Sequence, residues 1–169
     1  MIFWVYAGLA LIGLWLQLTV APLISIFGGT PNLMLMMILM MALRWVEPWL
    51  FVYSAVTGLM LDVFSHGNLG LYGLSFFAIT FITRYLAALL YENNILFTIA
   101  AVVAMSVLEG MFSLTLMEMI DESFYWWSWF FSRVIPVSLY HGLLAPLLLW
   151  GFVKLENLLK LGDTLRPRI

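Results

Sequence analysis

The sequence predicts an all-α membrane protein of six transmembrane helices, with both ends of the chain in the cytoplasm. Three observations predict it. Apolar side chains make up 64% of the 169 residues and charged ones 9%, with mean hydropathy +1.06. A soluble domain is roughly 45–50% apolar and about 25% charged. So little polar surface cannot coat a globule in water, and the solvent must be lipid. The apolar residues also fall into six runs joined by short turns rich in Gly, Pro, Asn or acidic residues. Finally, the Lys and Arg of the loops and helix ends keep to one side. The loops at 21–31, 65–68 and 118–123 carry none, whereas the alternate ends carry Arg44, Arg84, Lys154, Lys160, Arg166 and Arg168. The positive-inside rule puts those ends in the cytoplasm, and removing any one helix would scatter the charges over both sides.

The expected helices span about 2–20, 31–45, 48–64, 69–91, 95–117 and 125–153, within a single membrane domain covering 1–169. The first run follows Met1 directly, without a basic segment before it or a small-residue cleavage site after it, and reads as a mature helix rather than a signal peptide. Gln17 and Thr19 are its polar groups. The turn Gly28-Gly29-Thr30-Pro31-Asn32 leads into helix 2, where Pro31 suits a first turn because its missing N–H has no helical partner there. Helix 2 is short for a span and rich in Met, which packs as flexible filler; its shortness leaves it tilting little, thinning the bilayer locally or packing inside the bundle. The turn Arg44-Trp45-Val46-Glu47-Pro48-Trp49 has the charge and aromatic content of a membrane interface.

On helix 3, Ser54, Gly58 and Asp62 recur every four residues and share one face. Small residues at that spacing permit close helix approach in lipid. The stripe is therefore a candidate docking face for a partner helix, or else internal packing against helix 4; bulk at Gly58 should block the approach, Leu more than Ala. The following turn holds His66, Gly67, Asn68 and Gly70. Helix 6 opens on Phe124-Tyr125-Trp126-Trp127-Ser128-Trp129, an interfacial anchor. Nucleic-acid stacking would need basic residues among the rings, so no nucleic-acid partner is expected. Pro136 and Pro146 should bend the helix. The tail 154–169 is basic through Lys154, Lys160, Arg166 and Arg168, which suits anionic lipid or a cytoplasmic protein.

Charge at membrane depth needs a partner or a wet cavity. Glu109 and Arg133 lie at equal distances from a turn centred on Asp121, which predicts a buried ion pair at equal depth in the outer half of the membrane. Such a pair either glues helices together or relays a proton or ion. If it forms, Glu109→Gln and Arg133→Gln should be non-additive. Asp62 is read as a cap on backbone N–H groups near 65–68, or as a contact for a partner or ligand. His141, flanked by apolar residues, is read as a satisfied interior histidine. Two isolated His residues make no metal site. The chain has no Cys, so it has no disulfide or thiolate chemistry. No hydrolase, metalloprotease, phosphate-loop or dinucleotide motif is present, and Ser138 and His141 on one helix do not make a nucleophile–base–orienter set. The expectation is a protein without enzymatic activity, cofactor or metal.

Two short motifs carry a family resemblance. Pro31-Asn32-Leu33 opens the second run; Gly58-Leu59-Met60-Leu61-Asp62, followed by Gly67-Asn68-Leu69-Gly70-Leu71, spans the turn between the third and fourth. With the length, the order of runs, and the late helix carrying His141 and Pro146, they make the chain resemble the MreD family of bacterial rod shape-determining membrane proteins. About 20 residues carry the motifs. The resemblance implies a scaffold in the inner membrane that binds MreC through its membrane helix. It also implies membership of the elongasome with MreB, RodA and a penicillin-binding protein, and so a part in lateral peptidoglycan synthesis. The family is thought to share its fold with substrate-binding subunits of energy-coupling-factor vitamin transporters, which makes such a subunit the alternative reading. A ligand pocket for it would draw on Asp62, Glu109, Trp129 and Arg133.

Overall fold

A computed structural model describes residues 2–25, 29–45, 47–65, 68–90, 95–120 and 125–159. Among the described residues there are six helices and no strand. They are α1 (Ile2–Thr19), α2 (Leu33–Arg44), α3 (Trp49–Ser65), α4 (Leu71–Leu90), α5 (Ile95–Ile120) and α6 (Trp126–Leu158). Two of them, α5 with 26 residues and α6 with 33, are long and apolar enough to cross a membrane. His66, Gly67, Lys160, Arg166 and Arg168 fall outside the described residues.

The shortest helix lies at the centre. All 12 residues of α2 are buried; at 1.5 Å per residue it is about 18 Å long, well short of a hydrocarbon core of about 30 Å. Its five Met residues and five Leu/Ile residues contact α1, α4 and α6, with Leu35, Met36, Leu39 and Met41 wholly enclosed. A helix apolar all round is stable only if other helices cover every side. Of the options for this run, interior packing is the one observed.

α1 runs antiparallel to α2. Its Tyr6 meets Trp45 beyond the far end of α2, with ring centroids 5.6 Å apart, while Gln17 meets the near end. The second half of α6 runs parallel to α2, with His141 beside its start and Glu156 beside its end. α6 continues past the expected limit at 153, so Lys154 is helical and its ammonium lies 5.2 Å from the Trp150 ring centre.

α3 and α4 form a tight hairpin. Gly58 lies so close to α4 that an added Cβ would sit 2.4 Å from the Tyr72 carbonyl oxygen. Gly70, at φ 94°, supplies the left-handed turn that leads into α4. α5 and α6 approach at two glycines: a Cβ on Gly110 would meet Val134, and one on Gly142 would meet Val103, each at 2.5 Å. Just before Pro136, α6 widens into a π-turn over Phe130–Val134. Proline has no N–H to return to residue 132, so the backbone there must find another register.

The distribution of side chains is inverted relative to a soluble domain. Ser54, Thr57, Asp62, Ser75, Thr80, Thr83, Ser106, Glu109, Ser138, His141 and Glu156 are buried, while Trp15, Leu23, Leu139, Leu143, Leu147 and Trp150 are more than half exposed. Apolar exposure on this scale marks a surface that meets lipid or protein.

Candidate functional site

The sequence-predicted polar residues do not converge on one cavity. Several sit at helix ends and helix crossings, where Asp62 and His141 each join one helix to another.

Asp62 caps α4. One carboxylate oxygen accepts from the N–H groups of Gly70 (2.9 Å) and Gly73 (3.2 Å), and the other from Tyr72 N–H (3.0 Å). The first turn of a helix leaves four N–H groups without internal partners, and its dipole favours negative charge there. The carboxylate thus serves the start of α4 itself, beyond the 65–68 turn to which the sequence reading assigned it and of which His66 and Gly67 lie outside the described residues. It reaches α4 because Gly58, one turn earlier on the same face, lets the two backbones meet. Ser54 and Gly58 are buried, and the Gly58 face is filled by α4, so the stripe is occupied within the chain.

The start of α2 is sealed by three side chains. Asn32 Oδ1 accepts from Leu35 N–H at 3.0 Å; Gln17 Oε1 accepts from Leu33 N–H at 2.7 Å, while Gln17 Nε2 donates to the Pro31 carbonyl at 3.3 Å. His141 Nε2 accepts from Asn32 N–H at 2.8 Å. A backbone N–H can only donate, so this ring's hydrogen sits on Nδ1 and is donated to Ser106 Oγ. His141 thus joins α6, α5 and the start of α2.

The end of α2 is sealed by charge. Arg44 Nη2 donates to Glu156 Oε2 at 2.7 Å, and Nε bridges both carboxylate oxygens at 3.1 and 3.2 Å. Trp45 Nε1 adds a third donor, to Oε1 at 2.9 Å, and Arg84 Nη1 donates to the Ala42 carbonyl at 3.2 Å. Both members of the ion pair are buried. Sequence reasoning passed over this pair, because Glu156 looked like part of a solvated tail. The available signal was Leu155, Leu158 and Leu159 at helical spacing, which keeps α6 going and carries Glu156 along with it.

The predicted Glu109–Arg133 pair is not formed. Glu109 is buried and accepts from Ser113, one turn on, at 2.8 Å; Ser113 meets Ser75 of α4 at 3.2 Å. Arg133 is exposed, with its guanidinium 5.2 Å from the Trp129 ring centre. Equal offsets from a turn give equal depth but not equal facing, and the π-turn over Phe130–Val134 re-registers the face that Arg133 occupies.

Among the described residues, two of the surface clefts lie at opposite ends of the bundle. One, of about 580 Å³, lies between the end of α5 and the start of α6 and is lined by Thr115, Glu118 and Trp126 among others. The other, of about 330 Å³, lies at the opposite end, against Glu47 and Arg84.

Comparison with curated proteins and with solved structures finds no match for the chain. The family model of the rod shape-determining protein MreD matches residues 1–159, which takes in all six helices. The chain therefore belongs to the MreD family of rod shape-determining proteins.

Proposed function

We propose that this chain is a multi-pass protein of the bacterial inner membrane and a non-enzymatic scaffold of the elongasome. In this reading it binds the membrane helix of MreC and helps direct lateral wall synthesis with MreB, RodA and a penicillin-binding protein. Membership of the MreD family implies a role in rod shape determination; the partner, the spans and the topology are our own reading.

The observation that carries it is where the polar side chains are used. Asp62, Gln17, His141, Arg44 and Glu156 are all engaged in fixing one helix against another, which is what a rigid platform requires. Partner binding then falls to the apolar exterior, where association in lipid rests on van der Waals fit. Six spans with both termini inside fit the clustering of Arg44, Arg84 and Lys154 at one end of the bundle, since Arg84 bonds α2 within two residues of Arg44, and Lys154 is two residues from Glu156.

The test is co-expression with the MreC of the same organism, followed by affinity capture of one partner in mild detergent and gel filtration. A stoichiometric complex is expected. A chain that runs alone and carries a bound vitamin-sized molecule in native mass spectrometry would replace this reading with a transporter subunit.

A further inference from the structure

The cleft between the start of α3 and the last third of α4 carries two opposite charges that do not pair with each other. Arg84 and Glu47 both line it, yet among the described residues no ion pair joins them. Arg84 is half-buried and spends one donor on the Ala42 carbonyl; a guanidinium has five. The walls between the charges are apolar: Phe51 and Phe81 stand with ring centroids 6.1 Å apart, flanked by Pro48 and Tyr85. The exposed rings of Trp49 and Tyr85 beside it suit the headgroup level of a bilayer.

We infer that this cleft holds the headgroup of a zwitterionic phospholipid bearing a primary ammonium, with its phosphate on Arg84, its ammonium on Glu47 and the start of an acyl chain against Phe51 and Phe81. The guanidinium fork matches a phosphate oxygen pair. A carboxylate in the same cleft disfavours a headgroup that carries only negative charge and favours one that brings its own cation. A cleft of about 330 Å³ is at the lower end of the range for small-ligand sites, large enough for a headgroup but not for a whole lipid. The inference rests on the reading of the chain as a membrane-spanning protein whose Arg84 end faces the cytoplasm.

The test is native mass spectrometry of the full chain released from detergent, loaded in turn with phosphatidylethanolamine, phosphatidylglycerol and phosphatidylcholine of identical acyl chains. Retention of phosphatidylethanolamine several-fold above the other two is expected, with that preference lost in Glu47→Gln and overall retention lost in Arg84→Gln. Equal retention of phosphatidylglycerol overturns the role of Glu47. Equal retention of phosphatidylcholine, which has no ammonium N–H, overturns the hydrogen-bonded ammonium. No lipid retained overturns the site. Because Arg84 also holds α2, Glu47→Gln is the variant that decides if Arg84→Gln does not fold. MreC capture is run on the same samples: a complex that forms without lipid preference sinks this inference alone, and lipid preference without a complex sinks the scaffold reading alone.

Discussion

Arg44 and Glu156 are 112 positions apart in the chain, and their charged atoms are 2.7 Å apart in the fold. The carboxylate accepts from both Arg44 and the indole of Trp45, so one side chain from the last helix closes the end of the second. Removing one member of such a buried pair leaves the other charge uncompensated, at a cost of about 3–5 kcal/mol. Arg44→Ala and Glu156→Ala should each lower the midpoint of thermal unfolding in detergent sharply. The apolar double replacement Arg44→Met with Glu156→Leu should recover part of the loss. A double variant as unstable as the sum of the singles would show that the pair does not act as a unit.

Asp62→Ala should free three N–H groups at the start of α4. A lost helix cap costs about 0.5–2 kcal/mol, and bonds to a charged acceptor push toward the top of that range. Asp62→Asn keeps one acceptor oxygen and should fall between. Hydrogen exchange provides a local readout: the amides of Gly70, Tyr72 and Gly73 should lose protection before the rest of α4.

The glycines separate by what faces them. The close neighbour of Gly58 is backbone, which cannot step aside, so even Gly58→Ala should destabilise, by about 1–3 kcal/mol. At Gly73 the neighbour is the tip of Leu59, 2.9 Å from the added Cβ, and Gly73→Ala should cost less. Gly8 and Gly151 face open space, so Ala there should be neutral or slightly stabilising. Thermal midpoints of the four variants in one detergent test the order; a harmless Gly58→Ala would contradict the tight α3–α4 contact.

Glu109→Gln and Arg133→Gln should be additive to within about 0.3–0.5 kcal/mol, as expected of groups without shared partners. Glu109→Ala with Ser113→Ala should instead couple, since Ser113 donates to Glu109. A strong coupling between Glu109 and Arg133 would mean that the two meet in a conformation other than this one.

Topology can be read without background labelling, because the chain has no Cys. Single Cys substitutions at Glu118 or Trp127 should react with an impermeant maleimide from outside intact spheroplasts. Substitutions at Glu47 or Lys154 should react only after permeabilisation. The reverse pattern would invert the bundle.

Much of the fold was legible because lipid writes it in composition: uninterrupted apolar runs with polar turns are hard to read as anything other than helices. The depth of α2 was legible only as shortness, since a run that is apolar on all sides carries no facing information. The Asp62 stripe was legible as one face of α3, but which N–H groups the carboxylate reaches depended on how closely Gly58 lets α4 approach. Arg133 was misread because a π-turn shifts facing without changing the sequence pattern of a helix. The spacing of Leu155, Leu158 and Leu159 could have put Glu156 on a helix, but its partner 112 positions away leaves no local trace.

The buried position of α2 has a consequence for the order of biogenesis. The helix leaves the ribosome second, yet the histidine that closes one end and the glutamate that closes the other both belong to the sixth. Until α6 emerges, Arg44 has no Glu156 and the N–H of Asn32 has no His141. The earlier helices α1, α3, α4 and α5 can already cover the sides of α2, but its two ends stay open until synthesis is nearly complete. Nascent chains cut after α5 should consequently be recognised as unfinished by membrane proteases, even though five of the six helices are already present.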